Sequence, residues 1–246
     1  MNSTSKTVLV TGSSSGIGLE VARTFLDAGW NVVINGRHAD RLRCAVDRLN
    51  HPDGLASVAG STADRATGEA MVAVAQDRFD GIDMLVNNAG EFGQKPFLEV
   101  TEQDLDHYYT VNLKGTYLTT QAAVRVMLAQ GRGGSVVNIG TVLASHGMSW
   151  VHGSAPLVSK GGIHALTVAL AAELAPEGIR VNCVVPGFVR TPLMEGGNEK
   201  ALSASALLGR VGDVRDIASA VRYLADATFV TGQVLNVDGG FVSGRR

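Results

Sequence analysis

Three apolar strand formers run straight into a glycine-rich turn near the start of the chain: Val8-Leu9-Val10-Thr11-Gly12-Ser13-Ser14-Ser15-Gly16-Ile17-Gly18. Beyond the turn, Ile17, Val21 and Phe25 recur at the i, i+4, i+8 spacing of a helix face, so the order is strand, tight turn, helix. Glycines let a backbone come close to a ligand, and a helix N-terminus offers unpaired N–H groups and partial positive charge to a pyrophosphate. The stretch is therefore expected to bind a dinucleotide. Its G-x-x-x-G-x-G spacing differs from the common G-x-G-x-x-G, so it needs support from the rest of the chain.

The remaining strands and helices supply that support. Asn31 to Asn35 reads as a second strand, Leu55 to Ala59 as a third, Ile82 to Val86 as a fourth, and Gly134 to Gly140, Ile179 to Gly187 and Gln233 to Val237 as three more. Helical stretches fall at Asp64 to Phe79, Thr101 to Ala129, Ala155 to Ala175 and Val214 to Ala225. Strands alternating with helices imply an α/β fold: one Rossmann domain over residues 1–246, a doubly wound parallel sheet of about seven strands with helices on both faces. Several strands end in small residues, as in Asn87-Asn88-Ala89-Gly90 and Pro186-Gly187, where an open parallel sheet leaves its ligand crevice. Thr191 to Ser205, rich in small and polar residues, is the candidate lid.

The second strand ends in Asn35-Gly36-Arg37, with no carboxylate to accept from a ribose 2′-hydroxyl and an arginine suited to a 2′-phosphate. NADP(H) is favoured over NAD(H); Arg41 and Arg43 read as a solvated face. A net charge of −2 argues against nucleic acid and anionic membrane surfaces as partners. Two cysteines and the lack of a helical histidine pair argue against a disulfide framework and a metal site. The polar stretch Met1 to Lys6 and the shortness of the apolar runs lead to the expectation of a cytoplasmic protein outside the membrane.

Taken together, Thr11-Gly12-x-x-x-Gly16-Ile17-Gly18, Asn87-Asn88-Ala89-Gly90, Val111-Asn112, Val137-Asn138-Ile139, Ser159-Lys160, Arg180-Val181-Asn182, Pro186-Gly187, Thr231-Gly232 and Val237-Asp238-Gly239-Gly240 resemble the short-chain dehydrogenase/reductase family over nearly the whole chain. The resemblance implies hydride transfer between a nicotinamide and the carbonyl or hydroxyl of a small molecule. It implies Asn112, Thr141 (in the serine position) and Lys160 as catalytic residues. It also implies a cofactor site of Gly12, Ser14, Ser15, Gly16, Ile17, Gly18, Arg37, Ser61, Thr62, Asn88, Ala89, Gly90, Lys160, Pro186, Gly187, Val189 and Thr191. Ser61 stands where the family often has an aspartate beside the adenine. A homo-oligomer, tetramer or dimer, is implied too, built on the long helices and the C-terminal segment.

The family's catalytic tyrosine should lie four residues before Lys160, and that position is Pro156. Tyr108, Tyr109, Tyr117 and Tyr223 are followed four residues on by Asn112, Leu113, Gln121 and Ala227, so none restores the motif. Ser154-Ala155-Pro156 reads as a helix start with Ser154 as cap and proline in the first turn. The missing proton is expected from water near Lys160 and Thr141, from the substrate, or from a histidine. His152 leads His146 and Ser154 among side-chain candidates, since imidazole titrates at about pH 6.5. Met148 and Trp150 are set to line a pocket for a flat or apolar molecule, or to pack the loop. The alternatives to an oxidoreductase are a catalytically silent NADP-binding partner or sensor and, with less support, a lyase or isomerase on the same fold.

Overall fold

A computed structural model of the chain describes residues 5–50, 53–194 and 198–244. Met1 to Thr4 of the N-terminal stretch and residues 195–197 of the candidate lid lie outside them. Strands β1 (Thr7–Val10), β2 (Asn31–Gly36), β3 (Leu55–Ala59), β4 (Met84–Asn87), β5 (Gly134–Ile139), β6 (Ile179–Pro186) and β7 (Val234–Val237) form one sheet in the order β3-β2-β1-β4-β5-β6-β7. Every pairing is parallel, from Val8↔Val32 and Val8↔Met84 in the middle to Val184↔Leu235 at the edge. The order reverses between β1 and β4, which opens a crevice beyond their C-terminal ends.

Strand side chains alternate between two apolar layers, as a period of two requires. Val8, Val10, Val32 and Ile34 face α1 (Gly16–Asp27), α2 (Ala39–Arg48) and α8 (Val214–Asp226), packing with Val21, Phe25, Ile217, Val221 and Leu224. Leu9, Val33 and Leu85 face α3 (Arg65–Phe79), α5 (Gly115–Gln130) and α6 (Ser154–Leu174), packing with Met71, Ala123, Met127, Ala171 and Leu174. Sheets covered on both faces carry unbroken apolar strands, and all four residues of β1 are buried.

The structure departs from the sequence-based expectations at several points. Thr101 to Ala129 is not one helix: α4 (Glu102–Tyr108) leads through a π-helical turn, Tyr109–Lys114, into α5. The extra residue of a π turn rotates Asn112 inward, where it is fully buried. Helices α2 and α7 (Glu199–Ala204) have no counterpart among the expected helices; α7 occupies part of the candidate lid, capped by Asn198, whose Oδ1 accepts from Ala201 N–H at 3.1 Å. The cap of α6 is Gly153, not Ser154, and Pro156 is the third helical residue. Proline fits there because first-turn N–H groups have no intrahelical acceptor. The expectation that no apolar run approaches membrane-spanning length also needs amending. Ser154–Glu177 is long and apolar enough by length and composition, although in the fold its inner face packs on the sheet.

Candidate active site

The crevice begins at the β1–α1 turn. Gly12 and Gly16 have φ of +61° and +57°, where a side chain is strained. Gly18 is packed so closely that an added Cβ would lie 2.4 Å from Asn88 Nδ2 and 2.6 Å from Gly12 O. Ser15 is the N-cap of α1 but its side chain makes no capping bond, so the first-turn N–H groups stay free for a ligand. The residues therefore fit a dinucleotide: a close backbone cradle at a helix N-terminus with no side chain filling it.

The turn is stitched to β4 across the crevice. Thr11 Oγ1 accepts from the N–H groups of Asn88 and Ala89, both at 3.0 Å. Asn88 Nδ2 donates to Thr11 O at 3.0 Å and Gly12 O at 2.9 Å. Asn88 thus buttresses the cradle through its amide. On the other flank Asn35, which carries no role in the sequence motifs, donates to Val58 O at 3.0 Å and Gly60 O at 3.1 Å. A short polar residue at a strand's C-terminal end was the available signal.

The remaining cofactor candidates distribute around this cradle. Ser14 lies against Gly36, whose added Cβ would come within 3.2 Å of it, and Thr191 lies 3.5 Å from the same point on Gly16. Ile17 packs at the edge of the α1 layer. Ser61 accepts from Ala63 N–H at 3.3 Å, whereas the Thr62 hydroxyl is turned inward, 2.9 Å from the Cβ position of Gly115. Pro186 ends β6, Gly187 N–H donates to Val237 O at 3.1 Å, and buried Val189 pairs with Gly212. Arg37 emerges at the end of β2 and forms an ion pair with Glu91.

Towards β5 and α6 the polar groups converge on Gly90. A Cβ there would lie 2.9 Å from Lys160 Nζ and 3.2 Å from Asn112 Oδ1. Asn112 Oδ1 accepts from Glu91 N–H at 2.7 Å, and its Nδ2 donates to Glu91 O and Ser159 Oγ, both at 3.0 Å. Its amide thereby holds the Glu91 loop and α6 together, and its main-chain carbonyl accepts from Thr116 Oγ1 of α5 at 2.7 Å. Ser159, given no role from sequence, passes the chain on by donating to Pro156 O at 2.7 Å.

Lys160 Nζ donates to Ile139 O at 2.9 Å, and burial pushes its pKa down to about 8. Thr141 Oγ1 accepts weakly from Leu143 N–H at 3.4 Å, which leaves its proton free to donate. Beneath them, burial and then the Lys160 charge lower the pKa of His164, while burial pushes the Cys183 thiol up to about 12. Both groups press on Gly140, where a Cβ would lie 2.5 Å from His164 Nε2 and 3.0 Å from Cys183 Sγ.

His152 is not gathered into this group. It lines a cavity of about 170 Å³ with Lys95, Tyr108, Ser154 and Pro156, and its imidazole bonds to none of Asn112, Thr141 or Lys160 among the described residues. His146 stacks edge-on against Phe241 at 5.2 Å. Met148 packs into the cluster of Val142, Ile163, Val185 and Phe241, while Trp150 stacks on Phe188 at 6.0 Å and stays half exposed. No cluster of His, Cys, Asp or Glu that could hold a metal occurs among the described residues.

Comparison with known proteins agrees with this fold. Residues 12–242 match the family model described as enoyl-(acyl carrier protein) reductase. The chain is 40% identical over 244 residues, 96% of each chain, to the (2S)-[(R)-hydroxy(phenyl)methyl]succinyl-CoA dehydrogenase subunit BbsD of Thauera aromatica. A short-chain type dehydrogenase/reductase from Mycobacterium marinum superimposes with a TM-score of 0.92 at 32% identity, covering 98% of this chain and 97% of that one. The crystal structure of an actinorhodin polyketide ketoreductase variant with NADPH superimposes with a TM-score of 0.90 at 31% identity, covering 98% and 99%.

Proposed function

The chain belongs to the short-chain dehydrogenase/reductase family, and from that premise we propose that it is an NADP(H)-dependent oxidoreductase acting on a carbonyl or hydroxyl of a small molecule, with no tyrosine in the proton path. Bound nicotinamide supplies or accepts the hydride in such a reaction. The chain's own residues hold the reactants and manage the proton.

One observation carries the reading: Lys160, partly buried with its ammonium beside Gly90 and its pKa pushed down to about 8, stands one helical turn after Pro156. A lysine tuned towards neutrality suits general acid–base work. Thr141 donates its hydroxyl proton to the substrate oxygen, and a proton reaches that oxygen from Lys160 through Thr141 or water. A positioned acid is worth about 10² to 10⁴ in rate against a total acceleration of about 10⁶ or more, so a site that positions its reactants retains most of its advantage without the tyrosine. Trp150 and Phe188 offer an aromatic wall to a flat or apolar substrate.

Arg37 at the end of β2, with no carboxylate on that strand end, supports the preference for NADP(H). Val158 and Val168 of α6 and Tyr117 of α5 are exposed, which supports a homo-oligomer, dimer or tetramer, built on these helices. Free thiols at Cys44 and Cys183 are in keeping with the cytoplasm.

The test is absorbance at 340 nm with NADPH and a panel of ketones and quinones, with Pro156→Tyr in parallel. Oxidation of NADPH by the parent protein with any member is expected, and the tyrosine variant is expected to gain at least tenfold. Turnover by the variant alone favours a protein that lost catalysis at one position. NADPH binding with no turnover by either favours the silent partner or sensor, and turnover without cofactor favours a lyase or isomerase.

A further inference from the structure

Although no side chain of β2 can serve a ribose hydroxyl, since Asn35 is buried and its amide is engaged by Val58 O and Gly60 O, a carboxylate does reach this end of the crevice. It comes from the opposite wall. Glu91 follows Asn88-Ala89-Gly90, and both of its main-chain polar groups are bonded to the Asn112 amide at 2.7 and 3.0 Å. With its backbone so anchored, its side chain reaches across to β2. Oε1 pairs with Arg37 Nη1, and Oε2 lies 2.8 Å from His107 Nε2 of α4. The Arg37 side chain is 51% exposed and that of Glu91 only 28%, so the carboxylate is the inner, more fixed partner.

We infer that Glu91 is a cofactor-selectivity residue that competes with the 2′-phosphate of NADP(H) for Arg37. The inference rests on the reading of Arg37 as the phosphate-binding residue and goes beyond it. In the free protein the guanidinium already has an anion, and a 2′-phosphate must displace it. A bidentate-capable arginine binds phosphate well, but here part of that gain is offset by breaking the Glu91 pair and by repulsion from a carboxylate that the Asn112 clamp keeps close. NADH, which lacks the 2′-phosphate, has no such contest. Glu91 therefore narrows the gap between the two cofactors that Arg37 alone would open. Its own backbone bonds to Asn112 do not involve the carboxylate, so changing the side chain leaves that clamp intact.

The experiment is calorimetric titration of NADPH and NADH into the whole protein as wild type, Glu91→Gln, Arg37→Gln and the double variant, at one fixed ionic strength. Exposed ion pairs contribute modestly, so Glu91→Gln is expected to tighten NADPH about fivefold and to change NADH less than twofold. The NADPH gain is expected to vanish in the Arg37→Gln background. Retained NADH binding reports that each variant is folded. Equal tightening of both cofactors, a gain that persists without Arg37, or no gain at all overturns the inference. Weakened NADH binding in Glu91→Gln also overturns it, by making Glu91 a ribose-hydroxyl acceptor. If Arg37→Gln leaves the NADPH-to-NADH ratio unchanged in both backgrounds, the phosphate-binding reading of Arg37 falls and the inference falls with it. If Arg37→Gln weakens NADPH while Glu91→Gln does nothing, only the role of Glu91 is lost.

Discussion

Replacing Lys160 with methionine should remove one pH-dependent contribution to stability, and the size of the effect depends on where the ammonium sits. Burial lowers its pKa from 10.5 to about 8. Below pH 8 both the folded and the unfolded chain hold the proton, so the folded state bears the full cost of a buried charge. Between pH 8 and 10.5 the unfolded chain still holds a proton that the folded chain has released, so stability rises with pH; above that window both are neutral and no cost remains. The gap corresponds to about 3 kcal/mol in all. Methionine removes that cost but also the charge-assisted bond to Ile139 O, worth about 1.5–3 kcal/mol, so the variant should be about 1 kcal/mol more stable at pH 7. Its advantage should then shrink and reverse, moving by about 2 to 3 kcal/mol in total as pH rises to about 10. The folded Cys183 thiol, pushed up to about 12, stays protonated through this window while the unfolded one ionises, a contribution common to both proteins that cancels in their difference. Urea unfolding followed by far-UV circular dichroism at four pH values measures the difference directly. A difference that stays flat within about 0.5 kcal/mol, much less than the linkage estimate, would falsify the claim that Lys160 is held against its charged form.

Two further outcomes can be checked alongside it. Gly18→Ala drives a methyl group into Asn88 Nδ2 and Gly12 O, at 2.4 and 2.6 Å, and so loosens two bonds to the cradle; a loss of about 1–3 kcal/mol in urea and at least about tenfold weaker NADPH binding by fluorescence titration are expected. Undiminished binding would show that the turn does not need Asn88 to hold its shape. Thr141→Val keeps the volume and removes the hydroxyl proposed to donate to the substrate oxygen, so kcat should fall about 10²-fold or more while the NADPH dissociation constant stays within about twofold. A matched loss of cofactor affinity would mean that the hydroxyl acts on the fold and not on the substrate.

The alternation of apolar runs and helices made the sheet legible from sequence, because strands covered on both faces have to read as Val8-Leu9-Val10 or Met84-Leu85-Val86 do. The glycine turn was legible for a related reason: positive φ at Gly12 and Gly16 and the contact at Gly18 exclude other residues. What escaped were features with no local period. The π turn at Tyr109–Lys114 interrupts a helical pattern with no proline or glycine inside it. The Gly153 cap of α6 has no side chain to announce it. The side-chain amide partners of Asn35, Asn88 and Asn112 lie 21 to 77 residues away, so their roles arise only when the strands are side by side. His152 is near Pro156 in sequence and lines the same cavity, yet it makes no bond to Asn112, Thr141 or Lys160 among the described residues; its loop is held by Lys95 N–H to His152 O, 2.6 Å, and His152 N–H to Gln94 Oε1, 3.2 Å.

The Thr11–Asn88 stitch has a bearing on how the molecule is made. The β1–β2–β3 ribbon is contiguous in sequence and can pair as soon as Ala59 has left the ribosome, but the glycine turn it carries is then only half enclosed. Its outer wall arrives with β4, and Lys160 emerges some seventy positions later still, from about residue 87 to residue 160. A growing chain therefore passes through an interval in which the glycine turn forms a shallow shelf with neither β4 nor Lys160 beside it. Long-range parallel pairings of this kind are slow to close. A ligand that held β4 against β1 would favour the closed pairing by mass action.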